Sequence, residues 1–203
     1  MYLKISGYSI WLFVFFSCNN PNKNTAVVAT QSPQPETISK FIPVTDFISG
    51  QLNEIESLPV TPLKLITVDN KKSDSVWMKR EDVRGFAQPF LLPVIDSLSL
   101  STKFRETSFM DETVNAFTFS YDPISGAVPD SFLLKRWDVY ISPETNLIKR
   151  VFIVKEIASG KDKTTMQLTW LSGYWCKITY IKETGNKTEL REEKVIWDFK
   201  GDQ

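Results

Sequence analysis

The chain has 203 residues, 42% hydrophobic and 13% aromatic, which excludes a disordered chain and suits one globular domain. Its 24 Lys and Arg balance 24 Asp and Glu with the signs interleaved, so it lacks the electrostatic footprint of a nucleic-acid binder. It contains no histidine, which excludes Ser-His-Asp and Cys-His catalytic pairs and the commonest metal ligand.

Residues 1–18 combine one positive charge at Lys4, an apolar run ending in Phe16, and Ser17 immediately before Cys18. This stretch resembles a bacterial lipoprotein signal peptide of type II, with Phe16 standing where the family has a small residue. The resemblance implies cleavage before Cys18, diacylation of its sulfur, and a membrane partner held through those acyl chains. It also implies the cell envelope as the location, with the outer membrane expected and the domain facing the periplasm or the surface. Each buried methylene adds about 0.8 kcal/mol, so several chains anchor firmly where one binds marginally. Two other readings stand beside it. A membrane-spanning helix needs roughly 20 apolar residues, and this run is shorter and holds Gly7 and Ser9. An ordinary secretory signal cut after Ala29 would use Val27 and Ala29 as its small residues.

Asn19 to Lys40 carries Pro21, Pro33 and Pro35 and little apolar content, the composition of a disordered tether. Its 22 residues reach roughly 75 Å at full extension. The expected organisation is therefore a signal over 1–17, a lipidated cysteine and tether over 18–40, and one domain over 41–203.

Within that domain Val44, Phe47, Ile48, Leu52 and Ile55 recur at helical spacing until Pro59, which predicts a first helix. Leu63 to Val68 and Ser75 to Met78 read as a short hairpin. A second helix is expected from Arg80 to about Leu91, with Val83, Phe86, Ala87 and Phe90 as its stripe and Pro89 late in it. Phe104 to Phe109 and Val114 to Tyr121 read as two strands, followed by a loop from Asp122 to Asp130.

Leu134 to Phe199 is a β-meander by its period-two alternation and its turns. Trp137, Val139 and Ile141 alternate with Arg136, Asp138 and Tyr140, and Met166, Leu168 and Trp170 alternate with Thr165, Gln167 and Thr169. Ser142 to Asn146, Ser159 to Asp162 and Glu183 to Lys187 supply reversals. Ser172-Gly173 is either a tight turn or a bulge. In the last strand Val195, Trp197 and Phe199 are expected to share a side. The fold expected is α+β: two N-terminal helices packed on a curved antiparallel meander of about six to eight strands.

No motif for catalysis emerges. Asp138, Glu192, Glu193 and Asp198 show no spacing that makes an acid/base pair, and Glu192 and Glu193 point to opposite faces. Cys176, mid-strand, reads as a small buried residue. The scattered glycines form neither nucleotide-binding pattern, so no cofactor is implied. The aromatic set around Trp137, Trp170, Tyr174, Trp175, Tyr180 and Trp197 reads mainly as core, with Trp170, Tyr174 and Trp175 as the subset that could face a ligand. In general plan the chain looks like the lipoproteins of Bacteroidota. The expected role is a lipid-anchored, non-enzymatic envelope module that binds a protein or an apolar ligand. A half-barrel carrier or chaperone for lipid or lipoprotein, with the helices as a plug over an apolar cavity, and an envelope hydrolase are the alternatives.

Overall fold

The computed structural model describes residues 41–95, 100–129, 131–160 and 162–202. Cys18, the expected signal and the expected tether lie outside them. Helix α1, Val44–Ser57, buries Val44, Ile48, Leu52 and Ile55, one every three or four residues. Asp46 sits in its first turn, where the helix dipole favours an anion. The helix stops at Leu58, which precedes Pro59 and adopts an extended conformation, as the residue before a proline prefers.

The expected second helix is not continuous. It is replaced by two short segments, α2 over Asp82–Phe86 and α3 over Gln88–Leu91. Pro89 has no N–H to offer the Gly85 carbonyl, and its ring would collide with that carbonyl, so the helix breaks at Ala87. The apolar stripe survives the break, because Val83, Ala87 and Phe90 are all buried. Arg84 ties α2 to α1 through Glu56, at 2.6 and 3.0 Å, and through Asn53 at 2.7 Å.

The rest is one open, nine-stranded antiparallel sheet. Its strands are β1 Leu63–Val68, β2 Lys71–Trp77, β3 Phe104–Asp111, β4 Ala116–Pro123, β5 Leu134–Ile141, β6 Ile148–Ser159, β7 Asp162–Leu171, β8 Trp175–Thr184 and β9 Lys187–Ile196. The spatial order is β2-β1-β9-β8-β7-β6-β5-β4-β3. Strands β3 to β9 form the meander, and the β1–β2 hairpin joins its far side, running from Leu63↔Ile196 to Val68↔Arg191. The count exceeds six to eight because this early hairpin pairs with the last strand instead of standing apart.

Turn chemistry sets the registers. Asp69 and Asn70 both take positive φ, 48° and 63°, and close the first hairpin in two residues. That extends β2 back to Lys71, four residues earlier than expected. Ser172-Gly173 is a turn: the β7–β8 ladder continues unbroken to Leu171↔Trp175, and Gly173 supplies φ of 80°. The last strand lies three residues earlier than the expected Leu190 to Phe199. The Tyr174 carbonyl accepts the Trp197 and Asp198 amides, ending the ladder at Ile196. Trp197 then packs against Trp170 in the core, whereas Phe199 leaves for an exposed position near Trp77, with ring centroids 6.4 Å apart.

One face of the sheet, here the inner face, carries Trp137, Val139, Val151, Ile153, Leu168, Trp170, Cys176, Ile178 and Val195. These join α1, α2 and α3 in one core. At its β4–β5 end Tyr121 stacks on Trp137 at 4.6 Å with the planes 9° apart, and Phe41 meets both rings edge-on. Among the described residues Lys155 is the one charged side chain buried on this face; its ammonium donates to the Pro89 and Leu92 carbonyls at the end of α3.

Candidate binding site on the outer face

The opposite, outer face can be read row by row across the ladders. One row runs Thr118, Tyr140, Arg150, Leu171, Trp175, and the next runs Ser120, Asp138, Phe152, Thr169. Arg136, Asp138, Tyr140, Arg150, Phe152 and Thr169 line a depression of about 550 Å³. The β5–β6 ladder shifts register on both sides of it, between Leu134 and Arg136 and between Tyr140 and Ile141. Such bulges re-aim the side chains beside them.

Asp138 is 4% exposed although it stands on the outer face. Arg136 covers it: Nε lies 3.1 and 3.2 Å from the two carboxylate oxygens, with further contacts to Ser120 Oγ at 3.3 Å and Asp122 at 3.2 Å. The hydrogen bond to Asp138 holds the Arg136 pKa above its ordinary value. Burial, and then the Asp138 charge, raise the Tyr140 pKa. The Arg150 guanidinium lies 5.1 Å over the Tyr140 ring. Among the described residues Arg150 has no carboxylate within ion-pair distance, and its charge acts on Asp111 at longer range. Beside Tyr140, the Thr118 hydroxyl is buried without a hydrogen-bond partner among the described residues.

Chemically this surface offers groups for hydrogen bonding and stacking. It combines planar donors, a buried carboxylate and two aromatic rings, with no nucleophile paired to a base among the described residues. Among the described residues no group of three His, Cys, Asp or Glu side chains is placed to hold a metal ion.

The three aromatics singled out in the sequence do not converge. Trp170 is fully buried on the inner face, 5.4 Å from Phe90 and 5.3 Å from Trp197. Tyr174 is half-buried in the β7–β8 turn. Trp175 alone lies on the outer face, half-buried, with Lys194 Nζ 4.4 Å from its ring. Cys176 is fully buried, and burial pushes its thiol pKa far up. Glu192 pairs with Lys177 at 2.9 Å, and Glu193, on the other face, pairs with Lys64 and Arg191, each at 2.7 Å. Sequence reasoning placed Arg136, Asp138 and Tyr140 on one side but did not join Arg150 to them. The signal was the shared outward parity of β5 and β6, which becomes a site only once the register is known. Comparison with protein families, with curated proteins and with solved structures finds no match to the chain.

Proposed function

We propose that the chain is a lipid-anchored envelope protein whose sheet serves as a non-enzymatic binding module, with the depression on β5 and β6 as its ligand site. The anchor rests on the Lys4-to-Cys18 pattern. The site rests on one observation: Arg150 lies over Tyr140 in a concavity, with no carboxylate of the described residues within ion-pair distance, beside the buried Asp138 carboxylate that the exposed Arg136 covers. Arg150 suits a carboxylate or phosphate. Asp138 and Arg136 suit hydroxyl groups, and Tyr140 and Phe152 suit the apolar face of a ring. The ligand class is an acidic saccharide or a similar anionic polyol.

The carrier reading needs open apolar space between helices and sheet. Val44, Ile48, Leu52 and Phe90 meet Val151, Leu168 and Trp170 in that layer, all at most 1% exposed, so it draws no support there.

Two measurements test the proposal. Titration calorimetry of the detergent-extracted protein with uronic-acid oligosaccharides should give binding that Arg150→Ala weakens about tenfold, about 1.4 kcal/mol. No heat with the parent protein, or equal affinity in the variant, removes the site. Intact mass of the membrane-extracted chain should show acyl chains that Cys18→Ser lacks; an unmodified parent removes the anchor.

A further inference from the structure

The two edges of the sheet differ. β2 has a register shift opposite Ile66 and Thr67, and its sequence begins Lys71-Lys72; a bulge and edge lysines both discourage a strand from pairing further. β3 has neither. It pairs with β4 without a break from Phe104↔Pro123 to Asp111↔Ala116, and it contains no proline, glycine or lysine. Arg105, Thr107, Ser108, Phe109 and Met110 are all exposed along it.

From this edge we propose that the protein forms a two-fold dimer by antiparallel pairing of β3 with β3 of a second copy, the axis passing through Ser108.

The register follows from hydrogen-bond parity. The Lys103 carbonyl accepts the Ile124 amide at 2.8 Å, which extends the β3–β4 ladder by one pair. In an antiparallel ladder inward-bonded residues alternate. Arg105, Thr107, Phe109 and Asp111 therefore bond to β4, and the N–H and C=O groups of Glu106, Ser108 and Met110 point outward. A two-fold partner must match outward groups with outward groups, so the axis passes through a residue and not between two.

Three such axes give a long overlap, and charge separates them. An axis at Phe109 sets Glu106 opposite Glu112 of the second copy, a like-charge pair. An axis at Thr107 leaves Arg105 facing Phe109, and it could offer Asp111 only Lys103, which lies before the strand with its ammonium over the Phe132 ring. The axis at Ser108 sets Arg105 opposite Asp111 twice and Thr107 opposite Phe109 twice. All four pairs fall at the closer, non-hydrogen-bonded positions, where side chains interact most. Arg105 has no ion-pair partner among the described residues of its own chain. Asp111 is held in place by the Thr113 amide and hydroxyl, at 3.0 and 2.5 Å. Ser108 with Ser108, and Glu106 with Met110 on both sides, supply about six backbone hydrogen bonds.

The test is sedimentation velocity on the full chain in detergent, over a concentration series reaching roughly 100 μM, where a micromolar dimer is populated. The parent should shift from monomer to dimer. Arg105→Asp and Asp111→Arg should each weaken the dimer at least tenfold, and the double swap should restore it. Ser108→Pro deletes an outward N–H that the β3–β4 ladder does not use, so it should abolish the dimer while the far-UV spectrum and Tm stay near those of the parent. Ser108→Cys, oxidised, should give a single cross-linked dimer on a non-reducing gel. A parent monomeric throughout, a Ser108→Pro protein that dimerises like the parent, or assembly beyond the dimer, as open-ended β3-to-β2 pairing would give, overturns the proposal.

Discussion

Strands β4 to β8 build two faces from the same residues in alternation, and the two faces are buried by different means. On the inner face Trp137, Val139, Val151, Ile153, Leu168 and Trp170 are fully buried because α1 to α3 lie over them. On the outer face Thr118, Ser120 and Asp138 are buried to nearly the same degree, yet their cover is a neighbouring side chain such as Arg136. Inner burial follows from apolar character and survives any packing that preserves volume. Outer burial depends on which residues the register brings side by side, so it is specific and easily undone.

The largest effect should come from breaking the inner face. Trp137→Ala is expected to cost about 3–5 kcal/mol through lost burial and cavity formation, against about 1 kcal/mol for Tyr140→Ala on the outer face. Urea midpoints at constant m-value check both. Next comes the outer pair. Arg136→Ala strips the Asp138 carboxylate of both its cover and its charged hydrogen-bond donor and should cost about 2 kcal/mol. Arg136→Ala combined with Asp138→Ala should cost less than Arg136→Ala alone, and a double variant as unstable as the sum contradicts this account of the outer face.

Lys155 tests the inner face through pH. Burial lowers its pKa from 10.5 to about 8, and the two carbonyls it donates to act the other way. Between those values the unfolded chain binds more protons than the folded one, so stability rises with pH across that window. The gain from pH 7 to pH 9 should be about 1 kcal/mol relative to Lys155→Met; a parent and variant with parallel pH curves would mean the site is hydrated. The smallest effect belongs to the Arg84–Glu56 bridge between α2 and α1. Its hydrogen bonds hold the Glu56 pKa below the usual carboxylate range, so its contribution is present at neutral pH and fades as pH falls through that lowered pKa. Arg84→Ala should cost about 0.5 kcal/mol, and less in high salt.

The same contrast explains what could be read from the sequence. The inner face was legible residue by residue, because alternation alone assigns Trp137, Val139, Leu168 and Trp170 to one side. Asn146 at φ of 56° and the Gly185 hairpin were legible too, since only certain residues tolerate that backbone. The broken helix at Ala87 was half-legible: Pro89 signalled it, but the stripe of Val83, Ala87 and Phe90 persists through the break and imitates a continuous helix. The outer site was not legible. Tyr140 and Arg150 are separated by a turn, and the Lys149 offset in the β5–β6 register decides whether Arg150 meets Tyr140 or its neighbour. The position of the β1–β2 hairpin was equally hidden, because nothing local to Leu63–Val68 names β9 as its partner.

That β1–β9 seam also governs the order of assembly. The meander can grow by adding each strand to its predecessor, whereas β1 must wait for the last strand made, across more than a hundred intervening residues. Closing so long a loop is entropically slow. The amphipathic α1 and its following hairpin thus spend the early life of the chain without their strand partner. A nascent chain stopped short of Glu192 would leave β1 without most of its partner strand, and a circular permutant opened between β2 and α2 would reduce the connection from β9 to β1 to the joined termini and α1.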